Sequence, residues 1–180
     1  SKLACSLIAI TGSNGKTTSK ELISSVLRKK FNVLSTEGNL NNHIGVPLTL
    51  LKLNKSHQLA VIEMGANHLK EIELLCEIAK PNFGIITNIG KAHIEGFGSI
   101  DNILIGKTEL YRYLEKNNGT VFVNSDDKKL SKSTYGLNSI SYGSESIYAP
   151  QITIDDIYVN IFCLGMTFKS NLIGKYQKFN

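Results

Sequence analysis

Ile10-Thr11-Gly12-Ser13-Asn14-Gly15-Lys16-Thr17-Thr18 is the stretch that decides the fold. On its N-terminal side, Leu3 to Ile10 is a short apolar run, the pattern of a fully buried strand. On its C-terminal side, Lys16 to Lys30 carries Leu22, Ile23, Val26 and Leu27 at helical spacing. A strand that turns on two glycines into a helix exposes several backbone N–H groups, and the helix dipole favours an anion there. Lys16 can then reach the β and γ phosphates of a nucleotide, and the Thr17 hydroxyl can ligate Mg²⁺. Gly12, Ser13, Asn14, Gly15 and Thr18 complete the phosphate-binding set. The spacing is G-x-x-G-K-T, shorter than the usual G-x-x-x-x-G-K-[ST], because Ile10 stands where the first glycine of that form falls. A plain Gly-rich turn with a surface lysine is the competing reading. It leaves unexplained why Gly, Gly, Lys and Thr coincide at a strand-to-helix junction.

Working outward, the sequence predicts strands over 32–35, 58–64, 83–87 and 120–123. It predicts helices through Leu53 after Pro47, over 69–79, over 100–116 with Ser99 as the cap, and over 126–131. The second helix stops at Lys80-Pro81, since the residue before proline avoids helical geometry. Buried strands alternating with helices indicate an α/β domain of the P-loop mononucleotide-binding type, with a mainly parallel sheet. After about Leu137 the texture turns β-rich with no helix between strands. That predicts an antiparallel meander over 152–172 on one edge of the sheet.

The 180 residues fit one domain. The composition is that of an ordinary globular chain, 42% hydrophobic and 19% charged, which excludes disordered and collagen-like classes. No apolar run approaches the ~20 residues that span a bilayer, and the order of apolar and cationic segments is wrong for a signal peptide. The net charge is +5, almost all of it lysine; only Arg28 and Arg112 are arginine. No dense basic stripe with interleaved aromatics exists, so nucleic acid is not an expected partner. Cys5, Cys76 and Cys163 form no CxxC pair and read as free thiols in a reducing compartment. A cytoplasmic location without membrane insertion is the expectation.

Ligands of open parallel sheets bind beyond the carboxyl ends of the strands. One strand ends Val61-Ile62-Glu63-Met64-Gly65. A lone carboxylate there is costly to bury unless it is paired or metal-bound, and hard oxygens suit Mg²⁺. Glu63 is thus a candidate metal ligand, with a lysine-paired structural carboxylate as the alternative. The next strand runs into Thr87-Asn88-Ile89-Gly90-Lys91-Ala92-His93, which brings Asn88 and His93 to the same rim. Taken alone, His93 reads as a structural histidine, the Asn39 to Asn42 cluster as loop-forming, and Lys107 as a solvated helix lysine.

Together these segments resemble the central ATP-binding domain of the Mur ligases, which build the peptide of the bacterial cell wall. The resemblance rests on Thr-Gly-Ser-Asn-Gly-Lys-Thr-Thr (11–18), Asn-Asn-His-Ile-Gly-Val-Pro-Leu-Thr-Leu-Leu (41–51) and Glu-Met-Gly-Ala-Asn-His (63–68). It continues in Thr-Asn-Ile-Gly-Lys-Ala-His-Ile-Glu-Gly-Phe-Gly-Ser (87–99), Gly-Lys-Thr-Glu (106–109) and Asn-Ser-Asp-Asp (124–127). These pieces occur in family order over most of residues 3–127. The Glu-Met-Gly and Ala-His-x-Glu-Gly-Phe-Gly-Ser forms look most like the last ligase of the series.

The resemblance implies an ATP-dependent ligase of peptidoglycan synthesis. ATP phosphorylates the terminal carboxylate of UDP-N-acetylmuramoyl-tripeptide, and the amine of D-alanyl-D-alanine attacks the acyl phosphate. It also implies two Mg²⁺ sites, one on Thr17 and Glu63 and a second involving His93. Asn42 and Asn88 would lie by the γ-phosphate or its metal. Lys107 matches the family lysine that is often carbamylated, which would make it a metal ligand and, with Lys16 and His93, a catalytic residue. The family segment that approaches adenine commonly reads His-Asn-x-x-Asn; here it is Tyr176-Gln-Lys-Phe-Asn180, of which only Asn180 matches. The implied domain is residues 1–180, with the UDP-sugar domain and the C-terminal domain of such a ligase absent and the isolated chain inactive in ligation. Another Mur ligase or a folate polyglutamate ligase are alternatives, although the latter's loop reads Gly-Lys-Gly-Ser where this one reads Gly-Lys-Thr-Thr (15–18). A regulatory nucleotide-binding module is the alternative from another class.

Overall fold

The computed structural model describes residues 5–90, 94–134, 136–144, 151–155, 158–163 and 165–173. The elements run β1 (Ser6–Thr11), α1 (Lys16–Leu27), β2 (Val33–Ser35), α2 (Gly45–Leu50), β3 (Leu59–Glu63), α3 (Glu71–Ala79), β4 (Phe83–Ile86), α4 (Ile94–Phe97), α5 (Ile100–Lys107) and α6 (Glu109–Lys116). They continue with β5 (Thr120–Asn124), α7 (Lys128–Lys132), β6 (Ser139–Tyr142), β7 (Gln151–Asp155), β8 (Tyr158–Cys163) and β9 (Met166–Ile173). Six strands form one sheet in the order β2-β3-β1-β4-β5-β6, and every pairing in it is parallel.

Alternation along β1 and β3 divides the core between the two faces of this sheet. Leu7, Ala9, Ile62 and Met64 pack with Ile72 and Leu75 of α3, Ile103 of α5, and Leu110 and Leu114 of α6. Ile10, Val33 and Val61 face the other way, against Ile23 and Leu27 of α1. Each such aliphatic side chain stabilises by about 1.5–3 kcal/mol when fully buried, so the two-sided central strands anchor the site above them. Val46 of α2, Phe97 of α4 and Leu130 of α7 join the first of these clusters, so that face carries most of the helices, and α1 covers the other.

Several expected elements hold with shifted ends, as is normal for helix termini. Ser99 caps α5, its hydroxyl accepting the Asn102 N–H at 3.1 Å. Asp127 caps α7 by accepting the Lys129 and Leu130 N–H groups. Pro47 lies in the first turn of α2. The single helix predicted over 100–116 divides at Thr108 into α5 and α6. The Thr108 hydroxyl donates back to the Leu104 and Ile105 carbonyls, a bond that bends helices.

Two expectations about the C-terminal third change. Ser139–Tyr142 is a sixth parallel strand, paired with β5 from Val121↔Ser139 to Asn124↔Tyr142. The meander is present but does not extend the main sheet: β7, β8 and β9 pair antiparallel as a sheet of their own. The edge of the parallel sheet had already been taken by β6. Among the described residues no helix is long and apolar enough to cross a membrane.

Candidate nucleotide and metal site

β1 lies between β3 and β4, with Ile10 opposite Glu63 and Thr11 opposite Ile86. The carboxyl ends of three strands therefore share one rim, at the point where the strand order reverses. The ladder runs on past the strands. Met64 N–H donates to Ile10 O at 2.8 Å, Thr87 N–H to Thr11 O at 2.9 Å, and Ser13 N–H to Asn88 O at 3.0 Å. This pulls the Gly-rich loop tightly against β4. Gly12 sits at φ 141, and a Cβ added to it would fall 2.0 Å from the Thr87 hydroxyl oxygen. Gly15, at φ 77, turns the chain into α1, and no side chain of that residue caps the helix. The first amides of α1 are thus left for an anion.

Asn88 clasps the loop: its Oδ1 accepts the Asn14 N–H at 3.1 Å while its Nδ2 donates to Asn14 O at 3.0 Å. Ser13 Oγ in turn accepts the Gly90 N–H at 2.9 Å. Of the residues assigned to phosphate, Ser13 and Asn14 are therefore held by the end of β4, and Asn88 braces the loop. Thr18 is half-buried in the first turn of α1. The Lys16 ammonium folds back over the loop, donating to Gly12 O at 2.9 Å and Ser13 O at 3.2 Å. Burial lowers its pKa, and the charge of Glu63 opposes that shift.

Glu63 is 2% exposed. Its Oε2 accepts the Thr17 hydroxyl at 2.9 Å, and its Oε1 accepts Asn41 Nδ2–H at 2.8 Å. Its own N–H donates to Thr36 Oγ1 at 2.9 Å. Among the described residues no lysine or arginine forms an ion pair with it. The lysine-paired alternative thus finds no ion pair among the described residues, and Lys16 is a cation whose charge Glu63 feels without one. A buried carboxylate held by one hydroxyl and one amide is the donor set that a hard divalent cation suits.

Asn41 was not singled out from the sequence, yet it is the residue that reaches Glu63. Its neighbour Asn42 accepts the Ile44 and Gly45 N–H groups and so starts α2. Two adjacent asparagines carry no signal of which faces the strand end; only the fold supplies it. Lys16, Asn41, Asn42, His43, Gly65 and Ala66 line one side of a cleft of about 400 Å³ beside the loop.

Lys107 departs most from its reading as a solvated helix lysine. It is 1% exposed. Its Nζ donates to Ala66 O at 3.1 Å and lies 5.4 Å from the centre of the Phe97 ring. Burial, and secondarily the positive charge of Lys16, push its pKa down to about 8. His93 and Asn180 lie outside the described residues. Asn124 and Asp126 shape the turn after β5: Asn124 Oδ1 accepts the Asp126 N–H, and Asp126 accepts from Ser144. Among the described residues no three His, Cys, Asp or Glu side chains come together as a metal cluster. Mg²⁺ does not require one where phosphate oxygens and water complete its shell.

A Gly-rich loop entering a helix at the switch point of a parallel sheet defines a mononucleotide-binding α/β domain. The sequence model of the Mur ligase middle domain matches residues 10–180, and the chain belongs to that family. It is 50% identical over 187 residues to the UDP-N-acetylmuramoyl-tripeptide--D-alanyl-D-alanine ligase of Buchnera aphidicola subsp. Baizongia pistaciae, an alignment covering 93% of this chain and 40% of that protein. It is 38% identical to the Bacillus subtilis ligase of the same name, over 99% of this chain and 40% of the relative. Among solved structures, MurF from Acinetobacter baumannii superposes with a TM-score of 0.87 at 33% identity, over 98% of this chain and 40% of that one. MurF ligase from Thermotoga maritima in complex with ADP gives a TM-score of 0.81 at 30% identity, over 93% and 40%. The chain thus spans about 40% of the length of these relatives.

Proposed function

We propose that this chain is the central, ATP-binding part of a longer ligase that adds D-alanyl-D-alanine to UDP-N-acetylmuramoyl-tripeptide through an acyl phosphate. The observation that carries the chemistry is the junction of Thr17 with the buried Glu63, which forms no ion pair among the described residues, beside the Gly-rich loop. The names of its relatives support the choice of substrates.

Phosphoryl transfer depends on positioning and charge neutralisation. The first amides of α1 and the Lys16 ammonium bind the β and γ phosphates of ATP. Thr17 and Glu63 hold Mg²⁺, which supplies positive charge to the phosphate oxygens when bound. The tripeptide carboxylate takes the γ-phosphoryl group, with ADP leaving. The amine of D-alanyl-D-alanine then adds to the acyl carbon, and the tetrahedral intermediate expels inorganic phosphate as the amide forms.

A pKa near 8 suits Lys107 to carbamylation. Its neutral amine attacks CO₂, an N–C bond forms, and one proton is released. The product carries one negative charge shared by two carboxylate-like oxygens in place of an ammonium, the donor type that would suit a second Mg²⁺. His93 is assigned to that second ion on the family pattern. ATP, the UDP-linked tripeptide and D-alanyl-D-alanine are the partners of this reading, and the cytoplasm is its location.

A coupled phosphate-release assay on the full-length protein tests it. ATP-dependent release that requires both UDP-N-acetylmuramoyl-tripeptide and D-alanyl-D-alanine is the expected result. Release that proceeds equally with another amino acid in place of the dipeptide, or with no amine at all, overturns it.

A further inference from the structure

Lys107 and Glu109 leave the α5–α6 junction two positions apart, and both end on the segment that joins β3 to α3. Lys107 Nζ donates to Ala66 O at 3.1 Å. Glu109 is 4% exposed and accepts two backbone N–H groups, Lys70 at 2.7 Å on Oε1 and Glu73 at 3.0 Å on Oε2. Lys70, which precedes α3, has φ 72 and supplies no side-chain cap. Glu109 therefore caps α3 from another helix, with its negative charge at the positive end of the dipole. Glu71 holds the rest of the segment, accepting the Asn67 and His68 N–H groups at 2.7 and 3.1 Å. Two carboxylates thus secure four amides of the chain between Asn67 and Glu73. That same chain carries the Ala66 carbonyl and one wall of the cleft.

We propose that Glu109 is a positioning residue for Lys107: by gripping the start of α3 it fixes the Ala66 carbonyl against which the Lys107 amine is set. The proposal rests on the reading of Lys107 as a group of the ligase site. The hydrogen bonds of Glu109 go to Lys70 and Glu73 and not to the Gly-rich loop, so its effect should be confined to the Lys107 side. A carboxamide at this position keeps the size but presents a donor where the second acceptor is needed. One of the two N–H groups that begin α3 then loses its acceptor on Glu109.

The test uses the full-length ligase and the phosphate-release assay. Glu109→Gln lowers kcat about tenfold or more while the KM for ATP stays within about twofold. On a Lys107→Ala background, Glu109→Gln adds no further loss to the residual rate, since the group it positions is gone. Should Glu109→Gln fail to fold, Glu109→Asp, which keeps both acceptors on a shorter stem, gives the same split at smaller amplitude. Additive losses in the double variant, or a fall in kcat that only follows the folded fraction, overturn the proposal. A wild-type enzyme without ATP-dependent ligation removes the ligase reading, and this inference with it. An active wild type whose Glu109 variants show no split removes this inference alone.

Discussion

Lys16 and Lys107 are close enough to repel each other, yet they are held by opposite means. Lys16 is half-buried and bonds two carbonyls of its own loop. Lys107 is fully buried in a helix and has one carbonyl and the face of Phe97. A cation within reach of water and of two acceptors stays charged at small cost. One taken out of water with a single acceptor does not, because desolvation disfavours the charged form. The loop therefore supplies an ammonium whose charge Glu63 supports against the effect of burial, and the α5–α6 junction supplies an amine that can lose its proton in mildly alkaline conditions.

The largest expected effect breaks the loop side. Lys16→Ala lowers ATP affinity about hundredfold, since bonds from a charged donor are worth ~1.5–3 kcal/mol each. Calorimetric titration of the chain checks it; a loss of a few-fold would make Lys16 no more than a surface lysine.

Lys107→Met probes the other side through stability, with an opposite sign. In CO₂-free buffer the folded Lys107 releases its proton near 8 and the unfolded one near its ordinary 10.5. Between those values the unfolded chain binds more protons, so the stability of the wild type rises with pH across that window. At pH 7 the buried charge costs of the order of 3 kcal/mol, and Met, which removes it, stabilises by roughly 1–3 kcal/mol after the lost bond to Ala66. Urea melts at pH 7 and pH 10 should show that gain and then its disappearance. A variant less stable than wild type at pH 7 would refute the account of Lys107.

The smallest effect sharpens the boundary between the two sides. Asn88→Ala removes both bonds to Asn14 and costs ~1–2 kcal/mol of stability, read from the same melts. ATP affinity should fall far less than in Lys16→Ala. Equal losses would mean that Asn88 contacts the nucleotide and does not merely brace the loop.

How much of this was legible follows from where the information lies. The loop, β1 and α1 are contiguous, so Gly12, Gly15, Lys16 and Thr17 could be read together. Glu63 announced itself as the one carboxylate closing an apolar run. The Lys107 side is assembled from the α5–α6 junction, the chain after β3 and the ring of Phe97. Helical spacing alone gave no sign that residue 107 faces inward. Glu109 was visible only as part of a family motif, since its partners are backbone amides at Lys70 and Glu73. Asn41 and Asn42 could not be separated without the register of the loop against β3. The sixth strand was obscured by the short Ser-Ile-Ser-Tyr run (139–142), whose alternation is that of an edge strand.

The clasp between the loop and the end of β4 also bears on how the chain folds. Asn14 finds its partner 74 residues away at Asn88, and Ser13 bonds Gly90 at a separation of 77. No local fragment can present a finished phosphate cradle; it exists only once β1 and β4 have paired. Nucleotide binding is then a reporter of late, long-range assembly, silent toward any intermediate that has collapsed without that pairing. A ligand with such selectivity drives the equilibrium toward the completed structure by mass action, about 2.7 kcal/mol at a hundred times its Kd. The order of events during refolding could be followed by the moment at which ATP first begins to protect the chain.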